Sequence, residues 1–314
     1  MTEMDKKNIE YVVFEGGGVK GYAYVSAIEE LENLGLLTQL KGVAGTSMGA
    51  IFAVLLILGF SGEEIRNISY KIDVSEYGKG LYISMLWSIW KSYGTYSLNN
   101  LERQFREIIK IHYNPDITLK ELYNKTSKEL IIVTTCLNQK LPVYLHHSQF
   151  PDIKLIDALL SSITVPFGFK PQKYNFLGTQ DYYVDGGVVD NYPLWIFNDI
   201  NALYKGEFTK IDKKIINPHT IGLKVLSEEE EHTHYIYKNR TEINNITEFT
   251  KHILDTLLLQ NERNGVSNSY LEQTIPITTY GISFFDFSIN NDGKKSLIDL
   301  GAKSVRKYYG KDST

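Results

Sequence analysis

The sequence predicts an α/β fold built on a parallel sheet, and three features of its first sixty residues carry that expectation. A β-type run at 9–14 ends in the glycine turn Glu15-Gly16-Gly17-Gly18, after which Tyr22, Val25, Ile28, Glu29 and Leu31 recur at helical spacing. A second short run at 42–44 meets another glycine-flanked turn, Gly45-Thr46-Ser47-Met48-Gly49, followed by an apolar helix from Ala50. Strand, glycine turn, helix, twice over, is the order that sets strands parallel with crossover helices on the faces.

The later elements continue the alternation. β-type runs occupy 130–135, 142–145, 182–184 and 220–225, with a last strand expected at 282–287. Helical patterns cover 98–111, 153–163, 243–259 and 295–308, and the charged run 227–234 reads as a solvated loop. No internal repeat or composition break divides the 314 residues, so one domain is expected over 1–314. Its motifs lie within about 9–200, and 201–314 completes the fold.

Bulk composition narrows the classes. A net charge of -4 gives no whole-molecule attraction to nucleic acid or anionic lipid, so membrane contact has to be local. The single cysteine, Cys136, excludes an intramolecular disulfide and sits in an apolar run as a small buried side chain. The polar stretch 1–10 carries no leader-like apolar segment, and the longest apolar run, 50–58, is about half a bilayer span. These features predict a cytoplasmic protein without a membrane-spanning helix.

Three consecutive glycines cost backbone entropy and pack nothing, so Gly16, Gly17 and Gly18 imply close approach to the backbone. Their N–H groups beside a helix start suit an anion: a dinucleotide pyrophosphate, since Gly16, Gly18 and Gly21 fit G-x-G-x-x-G, or the oxyanion of an acyl-transfer intermediate. The second turn decides. A dinucleotide unit ends its second strand in an acidic residue. Here it ends in G-x-S-x-G, which holds the Ser47 hydroxyl above a helix start, with Gly45 and Gly49 relieving the crowding.

Serine needs a base. Of seven histidines, His219 alone precedes a strand in a defensible position; His112, His146, His147, His232, His234 and His252 read as ordinary surface residues. Asp185, followed by Gly186 and Gly187 at a strand end, is the better candidate, although Asp-Gly is also a common turn pair. A carboxylate with an ordinary pKa of about 3.9 is a weak base for a hydroxyl, so this pairing leans on burial and on the oxyanion glycines.

Taken together, the chain resembles the patatin-like phospholipases. The resemblance rests on Gly16-Gly17-Gly18-Val19-Lys20-Gly21, Gly45-Thr46-Ser47-Met48-Gly49 and Asp185-Gly186-Gly187, with weaker matches at 161–167 and at Asn191-Tyr192-Pro193. It implies a three-layer α/β/α fold and a Ser47–Asp185 dyad with Gly16, Gly17 and Gly18 as oxyanion loop. It also implies no metal, no diffusible cofactor, and hydrolysis of fatty acyl esters of glycerolipids or phospholipids. Glu15 stands where Asp is common, and Lys20 where Arg often does.

Residues 81–96 hold Leu81, Trp87, Trp90, Tyr93 and Tyr96, and fit either a buried core helix or an interfacial lid at a membrane surface. The competing functions are a Ser–His–Asp α/β-hydrolase esterase, which would place more strands before Ser47, and a non-catalytic lipid-binding or regulatory protein that keeps the fold. A nucleotide-dependent oxidoreductase is third.

Overall fold

The computed structural model describes residues 8–72, 90–213, 217–227, 268–280 and 289–311, with positions 88, 243, 253, 256, 282, 284 and 286. Ten strands are found among them: β1 Tyr11–Phe14, β2 Gly42–Thr46, β3 Gly94–Tyr96, β4 Glu129–Cys136, β5 Leu141–Leu145, β6 Phe167–Phe169, β7 Gln172–Tyr174, β8 Asp181–Asp185, β9 Thr220–Ser227 and β10 Thr274–Thr279. Strands β10-β9-β1-β2-β4 lie in that order and run parallel, while β5 and β8 join β4 antiparallel and β7 joins β8. A separate parallel pair, β3 and β6, stands off the main sheet.

Both faces of the sheet are covered, which makes the fold a three-layer α/β/α. The two-residue period of a strand divides β1 between two cores. Val12 and Phe14 face helix α1 (Tyr24–Asn33), helix α2 (Met48–Ile57) and the helix Asn291–Tyr308. Tyr11 and Val13 face Leu194–Phe197 and Leu203 on the other side.

β4 explains how the two halves of the site meet. Over 132–136 one edge is taken by β5, so β2 and β8 must share the other. β2 runs up that edge to Thr46 opposite Val133, and β8 runs down it to Asp185 opposite Thr134. The end of one strand therefore abuts the end of the other, and the residue after Thr46 is Ser47.

The strand after β9 is Thr274–Thr279, whose Pro276 breaks a strand pattern in sequence but is tolerated because β10 is an edge strand bonded only to β9. The expected strand at 282–287, the helix at 243–259 and the loop after Ser227 fall largely outside the described residues. No helix among the described residues is long and apolar enough to cross a membrane.

Candidate active site

Ser47 sits at the junction of β2 and α2 with φ 53° and ψ −124°, a left-handed conformation that holds its side chain out of the turn. The flanking glycines are there because nothing larger fits. A Cβ on Gly45 would lie 2.4 Å from Gly49 O, and one on Gly49 would lie 2.5 Å from Phe14 O. The Ser47 N–H donates to Ser162 Oγ at 2.9 Å, and Ser162 Oγ–H donates to Val133 O at 2.6 Å. The strained turn is thus pinned to β4 through a neighbouring helix.

Ser47 Oγ–H donates to Asp185 Oδ2 at 2.5 Å, so the structure brings together the two residues that lie 138 positions apart in sequence. Asp185 is 4% exposed and accepts one further hydrogen bond, from Gly187 N–H at 2.8 Å. Burial pushes its carboxyl up to about 6, against the lowering effect of the Ser47 and Gly187 hydrogen bonds. Gly186 must stay small, since its Cβ would meet Val133 O at 2.4 Å. Asp185 N–H donates to Thr164 O at 2.8 Å, and Thr135 Oγ1–H donates to Asp185 O at 3.0 Å.

The first glycine turn is held from three sides. Gly16 N–H donates to Asn191 O at 3.0 Å and Gly16 O accepts from Asn191 Nδ2 at 2.9 Å. Val19 N–H donates to Phe284 O at 3.1 Å. Among the described residues the amides of Gly17 and Gly18 make no such bond, and Gly18 adopts φ +49°. Glu15 is fully buried, with Oε1 accepting from Lys224 Nζ at 2.6 Å and Oε2 from Val225 N–H at 3.1 Å, which ties the turn to β9. Nothing in the sequence pattern singled out Lys224; an isolated lysine inside an otherwise apolar strand run was the available signal. Gly21 is close-packed against Met48 (2.3 Å from a built Cβ), and Lys20 is half-buried.

An apolar cavity of about 680 Å³, counting its open mouth, begins at Ser47 and Gly18. One face of α2 forms its wall: Met48, Ile51, Phe52 and Leu55 recur at helical spacing, with Leu101, Phe105, Val165 and Phe169 opposite. This accounts for a helix that is apolar all round, since one side packs on the sheet and the other lines the cavity.

The described histidines are placed elsewhere. His219 O accepts from Tyr11 N–H at the beginning of the strands, the opposite end from Ser47. His112 packs on Phe60, and His232, His234 and His252 lie outside the described residues. His146 and His147, expected on the surface, are buried. They follow β5 and turn in under the sheet toward Glu129. Of residues 81–96, positions 81–87 and 89 are outside the described residues; Trp90 is 80% and Tyr93 59% exposed, so these two do not belong to a buried core.

A serine on a sharp strand-to-helix turn, a buried carboxylate and an apolar slot at the carboxyl ends of parallel strands define a hydrolase-type site on an α/β/α scaffold. The profile of the patatin-like phospholipases matches residues 12–198, and the chain belongs to that family. It is 29% identical to uncharacterized protein R571 of Acanthamoeba polyphaga mimivirus over 97% of this chain and 95% of that protein. It is 24% identical to a cGAMP-activated phospholipase of Escherichia coli (strain TW11681), over 71% of this chain and 65% of the other. The crystal structure of VipD from Legionella pneumophila superposes with a TM-score of 0.56 at 15% identity, over 96% of this chain and 67% of that one, a likeness of fold. The chain is a lipid hydrolase by family.

Proposed function

We propose that the protein releases fatty acids from glycerolipid or phospholipid esters through a Ser47 acyl-enzyme, with Asp185 as general base. The observation that carries this is the 2.5 Å hydrogen bond from Ser47 Oγ to a carboxylate whose burial raises its basicity. Asp185 takes the Ser47 proton as Oγ attacks the ester carbonyl. Negative charge then develops on the carbonyl oxygen at the Gly16–Gly18 turn, where the Gly17 and Gly18 amides are the donors and Gly16 is the anchor. Collapse expels the alcohol, which takes the proton from Asp185, and a water activated by the same carboxylate hydrolyses the acyl-serine.

The cavity along α2 fits the acyl chain: it starts at the nucleophile and is walled by apolar side chains. Among the described residues no histidine stands beside Ser47 to complete a conventional triad, and His219 is at the far end of β9. Contact with a lipid surface is proposed at the cavity rim. Phe167 in β6 and Tyr93 just before β3 are exposed at that pair, whose Phe169 lines the cavity, and Trp90 is exposed three residues before Tyr93.

Two measurements test the proposal. A fluorophosphonate probe is expected to label wild-type protein at Ser47 and to leave Ser47→Ala unlabelled. Incubation with a mixed lipid extract is expected to yield free fatty acid and lysolipid by mass spectrometry. A protein that labels at no serine and leaves every lipid intact is a binder, and the proposal fails.

A further inference from the structure

At the other end of β4 from the serine lies a second buried polar cluster that the acyl chemistry does not use. Glu129 is the first residue of β4, and His146 and His147 follow the last residue of the paired strand β5, whose Leu145 stands opposite Ile132. The chain leaving β5 therefore runs back toward the start of β4. His146 Nε2 is 2.7 Å and His147 Nε2 3.0 Å from the same oxygen, Glu129 Oε2. All three ligating atoms lie within 4.8 Å of one another, and all three residues are buried. Tyr204 OH donates to the second oxygen, Glu129 Oε1, at 2.5 Å.

We propose that Glu129, His146 and His147 form a zinc site that ties the start of β4 to the segment leaving β5, with the Tyr204 hydroxyl held on the other carboxylate oxygen. Two neutral imidazoles and one carboxylate are a donor set suited to zinc. In a tetrahedral site with bonds of about 2.0–2.1 Å, neighbouring ligand atoms stand about 3.3 Å apart. The 2.7 and 3.0 Å separations of the two imidazole nitrogens from Glu129 Oε2 need only a small spreading to reach that value. Coordination through Nε2 leaves each imidazole proton on Nδ1, and His146 Nδ1 has Ser148 Oγ at 2.6 Å to receive it, the kind of outer partner that fixes a ligand's tautomer. The rings are oriented in advance. Tyr123 stacks on His147 at 3.7 Å, and Gln149 Nε2 holds the following loop to Leu203 O and Tyr204 O.

The role assigned is structural. Thr134, the partner of Asp185, lies five residues past Glu129 on β4, which is roughly 16 Å along a strand. The family resemblance implies no metal in the chemistry, and this site stands apart from it. Its outcome is therefore independent of whether Ser47 is the nucleophile.

The full chain, stripped with EDTA and titrated with Zn²⁺, is expected to take up roughly one ion, measured by calorimetry and elemental analysis, and to gain several degrees in Tm. Co²⁺ in its place is expected to give the visible absorption of a tetrahedral or five-coordinate ion. His147→Gln can still donate to Glu129, so it keeps the fold but is expected to lose the uptake; His146→Ala is expected to lose it as well. Wild-type protein that takes up less than about a tenth of an equivalent with excess Zn²⁺ would show a plain hydrogen-bonded network and overturn the proposal. Equal uptake by wild type and both variants, meaning adventitious surface binding, would also overturn it.

Discussion

The two ends of β4 each bury a carboxylate, and the two carboxylates behave in opposite ways. Glu129, at the start, would be raised by burial, but hydrogen bonds from His146, His147 and Tyr204 outweigh it and hold the group at about 2. Asp185, opposite Thr134 at the other end, receives only a serine hydroxyl and one backbone amide, and burial carries it up to about 6. Burial alone does not make a base; the number and strength of donors decide. The difference has a sequence cause. Glycines follow Asp185 and offer no side-chain donors, whereas Glu129 meets two imidazoles and a phenol.

The contrast is broken most severely by removing the group itself. Asp185→Asn is expected to lower acyl hydrolysis by about a thousandfold or more, as is Ser47→Ala, measured as kcat/KM on a fluorogenic ester. Because the folded pKa of Asp185 lies above its ordinary value, its contribution to stability is present at low pH and lost as pH rises through about 6. Asp185→Asn escapes that loss, so its Tm at pH 8 is expected to equal or exceed that of wild type. A folded Asp185→Asn variant that stays active removes Asp185 from the role of base.

The same shift sets the pH profile. A base must be ionised, so kcat/KM is expected to be level above about pH 6 and to fall about tenfold per unit below it. An inflection near 4 would mean a solvated carboxylate. The third expected effect concerns the glycine turn. Lys224→Met leaves Glu15 buried without its ammonium partner, loosens the turn from β9, and is expected to lower kcat about tenfold to a hundredfold with little change in KM. Lys224→Arg is expected to recover part of it. A change confined to Tm would make the pair a fold contact alone. The smallest effect belongs to the cavity. Leu55 lies eight residues past Ser47, about 12 Å along the helix, so Leu55→Trp is expected to shift preference toward shorter acyl chains by severalfold.

Local chemistry was legible wherever a backbone demanded a special residue. The glycines at 16–18, 45, 49 and 186 mark close approaches, and the strands they terminate were found within a residue or two. The helices Gly62–Lys71 and Leu119–Thr126 announce themselves by the capping boxes Ser61–Glu64 and Thr118–Glu121, a signal that periodicity alone passes over. The edge strand β10 was hidden by its proline.

Sequence by itself determined the strained serine turn, the glycine loop and the acid at a strand end, because each depends on a few neighbouring residues and their φ, ψ limits. Only the tertiary structure decided that β2 and β8 share one edge of β4, which puts Ser47 and Asp185 in contact. It also decided that Lys224 reaches Glu15 and that His146 and His147 converge on Glu129. Those contacts join residues 17 to 209 positions apart. They follow from which strands pair, a property of the whole sheet that no local stretch encodes.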